Sequence, residues 1–90
     1  MLALNFAILK HFTKVDEADA DSVMATLSDR YSGFRAFKKK AVIEALMTAS
    51  ENGILDETRF ELDENEELRV YYKANEYGLD MIRKYIQGDV

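Results

Sequence analysis

One run, Tyr31 to Leu55 (YSGFRAFKKKAVIEALMTASENGIL), constrains the fold more than any other stretch. Between Phe37 and Glu51 its apolar residues recur at helical spacing. At about 100° per residue, Val42, Ile43, Leu46, Ala49 and Ser50 share one face, with Met47 at its border. Lys40, Glu44, Thr48 and Glu51 take the opposite face, with Ala41 beside them. Asn52-Gly53 stops the helix, because glycine adopts the left-handed backbone of a helix ending without a Cβ clash. Ile54 and Leu55 supply the apolar contact that such an ending carries. No Ser, Thr, Asp or Asn lies between Gly33 and Lys40 to act as N-cap, so the sequence marks the end of this helix sharply and its start poorly.

Two shorter helical patterns precede it. In Leu2 to Phe12, Leu2, Phe6 and Leu9 form one apolar stripe and Leu4, Ile8 and Phe12 a second. A helix apolar on two sides is usually buried on two sides. It therefore runs through the middle of the fold or turns one side to a second subunit. Asp16-Glu17-Ala18-Asp19-Ala20-Asp21 has the acids of a metal site but neither the glycine nor the distal glutamate of a calcium loop. These acids instead favour the positive end of the next helix, with Asp19 or a neighbour as its cap. That helix, Asp19 to Tyr31, sets Val23, Leu27 and Tyr31 at successive i+4 positions with Met24 alongside. Ser32-Gly33 ends it, and a short turn through Ala36 leads into the organising helix: a helix-turn-helix pattern. His11 is the only histidine. One imidazole near a helix end is structural far more often than it is a proton switch.

Beyond Gly53 the period changes to two. Phe60 and Leu62 alternate with Arg59, Glu61 and Asp63; Leu68, Val70 and Tyr72 alternate with Arg69, Tyr71 and Lys73. Flanking Glu64-Asn65-Glu66, this predicts an antiparallel hairpin with one buried face. Asn75 is placed to cap a last helix, Glu76 to Gln87, with Leu79, Ile82 and Ile86 on one face. Gly78 inside it is unfavourable unless another segment packs closely there. The expected fold is mainly α with a small β-hairpin: a three-helix core, a two-stranded wing and a C-terminal helix, in a single domain over residues 1–90.

Composition narrows the function. Without cysteine there is no disulfide, thiolate nucleophile or zinc-thiolate site, which fits an intracellular protein. The opening MLALNFAILKHF is too short to span a bilayer and lacks the basic region and cleavage site of a secretory signal, so a cytoplasmic location is expected. One histidine, no phosphate-cradling glycine loop and no nucleophile elbow argue against an enzyme. The carboxylates crowd a hairpin tip, where solvent keeps them ordinary. No cofactor and no metal are expected.

Net charge is −5, but it is segregated. Arg30, Arg35, Lys38, Lys39 and Lys40 lie together with no acid among them, while Ile54 to Leu68 holds seven acids against Arg59 alone. In element order the chain resembles the winged helix-turn-helix domains of small bacterial transcription regulators. LMTASENGILDE is similar to a recognition helix running into the first wing strand, and LRVYYKANEYGLDMIRKYI to the second strand and closing helix.

In that family the recognition helix enters the major groove and the wing touches backbone or minor groove. The resemblance implies Arg35, Lys38, Lys39 and Lys40 as phosphate contacts, with Lys40, Ala41, Glu44 and Thr48 facing base edges. It also implies double-stranded DNA as partner and a homodimer through Leu2–Phe12 or the C-terminal helix. The wing departs from the family, because Asp63, Glu64, Glu66 and Glu67 surround its tip where cations are usual. The alternative expectation is a protein-interaction module that uses this acidic wing or the apolar first helix.

Overall fold

The computed structural model describes residues 2–88. Its elements are α1 (Leu4–His11), α2 (Ala20–Tyr31), α3 (Lys39–Glu51), β1 (Leu55–Leu62), β2 (Leu68–Ala74) and α4 (Glu76–Tyr85). Three helices, an antiparallel β1–β2 hairpin and a closing helix make a winged helix-turn-helix.

Local chemistry explains where each element starts. Asp19 is extended and its carboxylate accepts from the Ser22 N–H at 3.2 Å, while Ser22 Oγ accepts from the Asp19 N–H at 3.1 Å. This reciprocal capping box satisfies two donors at the N-terminus of α2. The preceding residues are also structural. Ala18 forms an antiparallel bridge with Tyr72, and Glu17 accepts from Thr58 Oγ1 at 2.6 Å and pairs with Arg59. The third helix begins at Lys39, later than its periodicity suggests, behind an extended Lys38 whose side chain caps nothing. Gly53, at φ +79°, closes it.

The core lies where the three helices meet the base of the hairpin. Ile8, Phe12, Val23, Leu27, Tyr31, Val42, Leu46 and Leu55 are all buried. Each such side chain contributes roughly 1.5–3 kcal/mol relative to exposure. Tyr31 donates its hydroxyl to the Leu2 carbonyl at 2.6 Å, which ties the end of α2 to the start of the chain. His11 is buried as well, and that burial, with Lys14 adding to it, lowers its pKa below the ordinary imidazole value of 6.5. The imidazole is therefore a neutral part of the packing.

Two expectations are corrected here. In the first helix the Leu4–Ile8–Phe12 stripe is buried together with Ala7 and His11, whereas the second stripe is covered only in part: Leu2 and Leu9 pack against the core and Phe6 is 50% exposed, so α1 is not enclosed on all sides. Nor is the apolar face of the hairpin buried along its length. Tyr72 is buried, but Phe60, Leu62 and Leu68 are 68%, 67% and 61% exposed. The helices pack against the base of the hairpin, and its distal half extends past them. A bulge at Thr58 keeps this face continuous. Leu55 and Phe60 have opposite parity in sequence, yet the extra residue leaves Glu57 opposite Tyr72 and Phe60 opposite Val70, on one side of the sheet.

One side chain joins three elements at the other end. Asn75 Oδ1 accepts from the Gly78 N–H at 2.7 Å and caps α4; its Nδ2 donates to the Gly53 carbonyl at 2.8 Å and to Asp56 at 3.0 Å. Gly78 then lets the first turn of α4 rest on the backbone of Ile54, whose carbonyl a Cβ at this position would strike. Helix propensity alone would make Gly78→Ala stabilising by about 1 kcal/mol. Because the clash is with backbone, the variant is expected to lose about 1–3 kcal/mol in chemical denaturation. A gain in stability would show that α4 is not seated on Ile54.

Candidate nucleic-acid interface

The charged site forms where the α2–α3 turn delivers the chain into α3. Phe34 N–H bonds the Tyr31 carbonyl at 2.9 Å, Phe37 N–H bonds the Phe34 carbonyl at 3.0 Å, and the Phe34 ring packs edge-on against buried Tyr31 at 4.9 Å. The turn is thus anchored to the core, and it holds Arg35 and Lys38 outward. All six side chains expected at a nucleic-acid surface, Arg35, Lys38, Lys39, Lys40, Glu44 and Thr48, are exposed.

Their electrostatic states differ. Lys39 is paired with Asp21 at 3.2 Å. Among the described residues no carboxylate lies within ion-pair reach of Arg35, Lys38 or Lys40. The first backbone bond of α3 runs from the Val42 N–H to the Lys38 carbonyl, and no side chain caps the donors ahead of it. Three unpaired cations therefore surround a helix N-terminus whose amides and dipole favour an anion.

Further along, the outward stripe of α3 is Lys40, Glu44, Met47 and Glu51, with Thr48 at its edge. Ala41 is half-buried, and with Glu44 and Thr48 it borders a shallow groove against Asn5 and Leu9 of α1. The buried face is narrower than the periodicity suggests: Val42, Leu46 and Ala49 are in the core, whereas Ile43 and Met47 are 38% and 48% exposed on the side facing the wing.

The wing is bound to the helices through its arginines. Arg69 pairs with Asp19 at 3.1 Å and with Asp21 at 3.3 Å, so Asp21 stands between Arg69 and Lys39. Burial alone would raise the Asp19 carboxyl; hydrogen bonds from Ser22 and the backbone, with the Arg69 charge, outweigh it and hold the group below its ordinary 3.8. Arg59 pairs with Glu17 at 3.0 Å and Glu61 at 3.1 Å, and stacks on Tyr71 at 3.7 Å from the ring centre. Both wing arginines thus contact the protein itself. At the tip, Asp63 accepts from the Asn65 and Glu67 N–H groups at 2.8 and 2.9 Å and shapes the loop, while Glu64, Glu66 and Glu67 are exposed.

Sequence reasoning missed the Asp19–Arg69–Asp21–Lys39 chain. Its acids are far in sequence from both cations, and only the capping role of Asp19 left a local signal. It also missed the exposure of Met47 and of the distal wing, for which periodicity gives no sign.

No protein-family model matches the sequence, and no curated protein does. Solved structures do. Bacillus subtilis PadR in complex with operator DNA superposes with a TM-score of 0.73 at 16% identity, over 100% of this chain and 50% of that one. A PadR-like transcriptional regulator (BC4206) from Bacillus cereus superposes at 0.65 with 16% identity, over 90% of this chain and 75% of that one. The chain thus spans half the length of the Bacillus subtilis protein. At these identities the likeness shows the winged helix-turn-helix fold.

The Asp19–Arg69 pair gives a pH-dependent test. A carboxylate whose pKa is lowered by folding stabilises the fold above its unfolded value, and that stability is lost as pH falls through the folded value. Arg69→Gln is expected to lower the melting temperature at pH 7. The difference from the unaltered chain should shrink once pH falls below 3.8, as Asp19 becomes protonated. A difference that does not change with pH would mean that Arg69 acts by packing alone.

Proposed function

We propose that this chain is a DNA-binding transcription regulator that places α3 in the major groove, with the first turn of α3 on the phosphate backbone. The observation that carries this reading is the set of unpaired cations, Arg35, Lys38 and Lys40, around the uncapped start of α3. In a winged helix-turn-helix this end of the third helix is the one that meets duplex DNA, and the Bacillus subtilis PadR structure is a complex with operator DNA.

Arg35 and Lys38 contact phosphates. Lys40, one turn before Glu44, reaches a phosphate or a guanine edge. Glu44 accepts from a cytosine amino group, and Thr48 bonds to either base type. Lys39, paired with Asp21 on the surface, is left out of the phosphate set in this reading and ties α3 to α2. The acidic tip is repelled by phosphates, so the wing is directed away from the backbone. No catalytic step and no cofactor enter this reading. Among the described residues no helix is long and apolar enough to cross a membrane, and a regulator of this kind acts in the cytoplasm.

A second copy completes the reader. On α4, Tyr77 and Tyr85 are exposed and Met81 is half-buried between them. Glu76 and Asp80 precede Arg83 and Lys84 along the same helix. Packed antiparallel on a second copy about Met81, each acidic end meets a basic end. The resulting two-fold axis would repeat α3 along the duplex.

The test is a titration of labelled duplex about three helical turns long at several salt concentrations. With three cationic contacts, log affinity should fall with log salt at a slope of about −3 per bound chain. Two chains should bind each duplex. The variant Arg35→Glu/Lys38→Glu/Lys40→Glu should lose binding at every salt concentration, and unchanged affinity in it would remove this reading.

A further inference from the structure

The wing has a surface that DNA binding does not use. Its apolar side and the neighbouring side of α3 enclose a cleft of about 340 Å³, with Ile43 and Met47 on one wall and Leu68, Val70 and Tyr72 on the other. That volume is within the range of binding pockets, roughly 300–1,000 Å³. The apolar surface continues past the cleft, since Phe60 pairs with Val70 and Leu62 with Leu68 on the same side of the hairpin. Phe60, Leu62 and Leu68 are 61–68% exposed. Exposed apolar patches of this continuity, rimmed by charge, mark interaction sites.

The rim states the chemistry of the occupant. Glu57 and Asp63 border the cleft, and Glu64, Glu66 and Glu67 crowd the adjoining tip. The nearby cations, Lys39 and Arg69, are already paired with Asp21 and Asp19. What remains is an apolar strip flanked by carboxylates, of which Glu64, Glu66 and Glu67 are exposed at the tip. A second copy is a poor occupant, because a two-fold contact would set one acidic rim against another. An anionic lipid surface or the DNA backbone is repelled for the same reason. A small molecule fills the cleft but leaves Phe60 and Leu62 uncovered. From Tyr72 to Leu68 the strip runs roughly 13 Å at strand spacing, which about nine residues of helix match at 1.5 Å per residue.

We infer that the cleft between α3 and the wing is a docking groove for a basic amphipathic helix of a partner protein, its apolar stripe on Met47, Leu68 and Phe60 and its lysines or arginines on the acidic tip. Helix-in-groove recognition of this kind is read through anchors at i, i+3, i+4 and i+7. The groove adjoins the outward face of α3, so a docked helix obstructs the approach of DNA. The partner then acts as a release factor: it binds through the wing and displaces the duplex from α3.

The test needs no DNA and so stands or falls apart from the reading of α3. The probe is a labelled synthetic peptide of about fourteen residues, with leucines at i, i+3, i+4 and i+7 and lysines elsewhere. Two control peptides accompany it, one with glutamates for the lysines and one scrambled to break the apolar stripe. Fluorescence anisotropy against the full chain should show the lysine peptide binding at least about tenfold tighter than either control. Phe60→Ser/Leu68→Ser removes exposed side chains without touching the core, and should weaken binding about tenfold. Glu64→Lys/Glu67→Lys should weaken it as well. Equal binding of the lysine and scrambled peptides would overturn the proposal, since charge alone would then explain the attraction. So would full affinity in the Phe60→Ser/Leu68→Ser variant, or a shift in self-association caused by that variant. Where DNA binding is also observed, the lysine peptide should displace the duplex and the glutamate peptide should not.

Discussion

Asp21 lies between two cations from different parts of the chain, Lys39 at the start of α3 and Arg69 in the wing, and the layout of the charged surface follows from that contact. It neutralises the cations on the wing side of α3 and joins helix, turn and hairpin at one point. Asp19, buried two residues earlier as the cap of α2, takes the other nitrogen of the same guanidinium. A carboxylate so deeply buried needs such a partner, because an uncompensated charge there costs more than the pair contributes. What is left unpaired are Arg35, Lys38 and Lys40, beside the uncapped amides of α3. The division between a neutralised and a free half of one basic cluster is what gives the surface a direction.

The wing shows the same division in its own charges. Arg59, though half exposed, is paired with Glu17 and Glu61 and stacked on Tyr71, and Arg69 is paired with two aspartates, so a phosphate would have to compete with these internal contacts. The free charges of the distal hairpin are carboxylates, and the free area is apolar. A wing of that character suits a protein partner and not a polyanion. The third helix and the wing, which act together on DNA in many proteins of this fold, are here chemically separated: one basic at its start, one acidic and greasy.

Much of the scaffold was legible because it is written in local signals. The Asp19 cap, the Gly53 stop, the Asn75 cap and the close packing at Gly78 each rest on one or two residues whose preferences are nearly independent of context; the Ser22 half of the capping box was not read. The start of α3 was poorly marked since nothing caps it. Errors arose where a pattern gives polarity but not depth. Phe60, Leu62 and Leu68 alternate like a buried face, yet the helices are too short to cover them, and alternation carries no information about how far a neighbour extends. In the same way Phe6 stays exposed although Leu2 and Leu9 of its stripe pack against the core. The charged site was half legible: the run of cations is contiguous in sequence, but the pairing of Lys39 with Asp21 depends on how α2 and α3 cross.

If the first turn of α3 meets a polyanion, amide NMR spectra of the labelled chain, recorded while duplex DNA is added at low salt, locate the contact there. Large shifts are expected at Arg35 and at Lys38 through Ala41, smaller ones at Glu44 and Thr48, and none at Glu64 through Glu67. Shifts concentrated at the wing tip, with the start of α3 unmoved, would place the polyanion elsewhere.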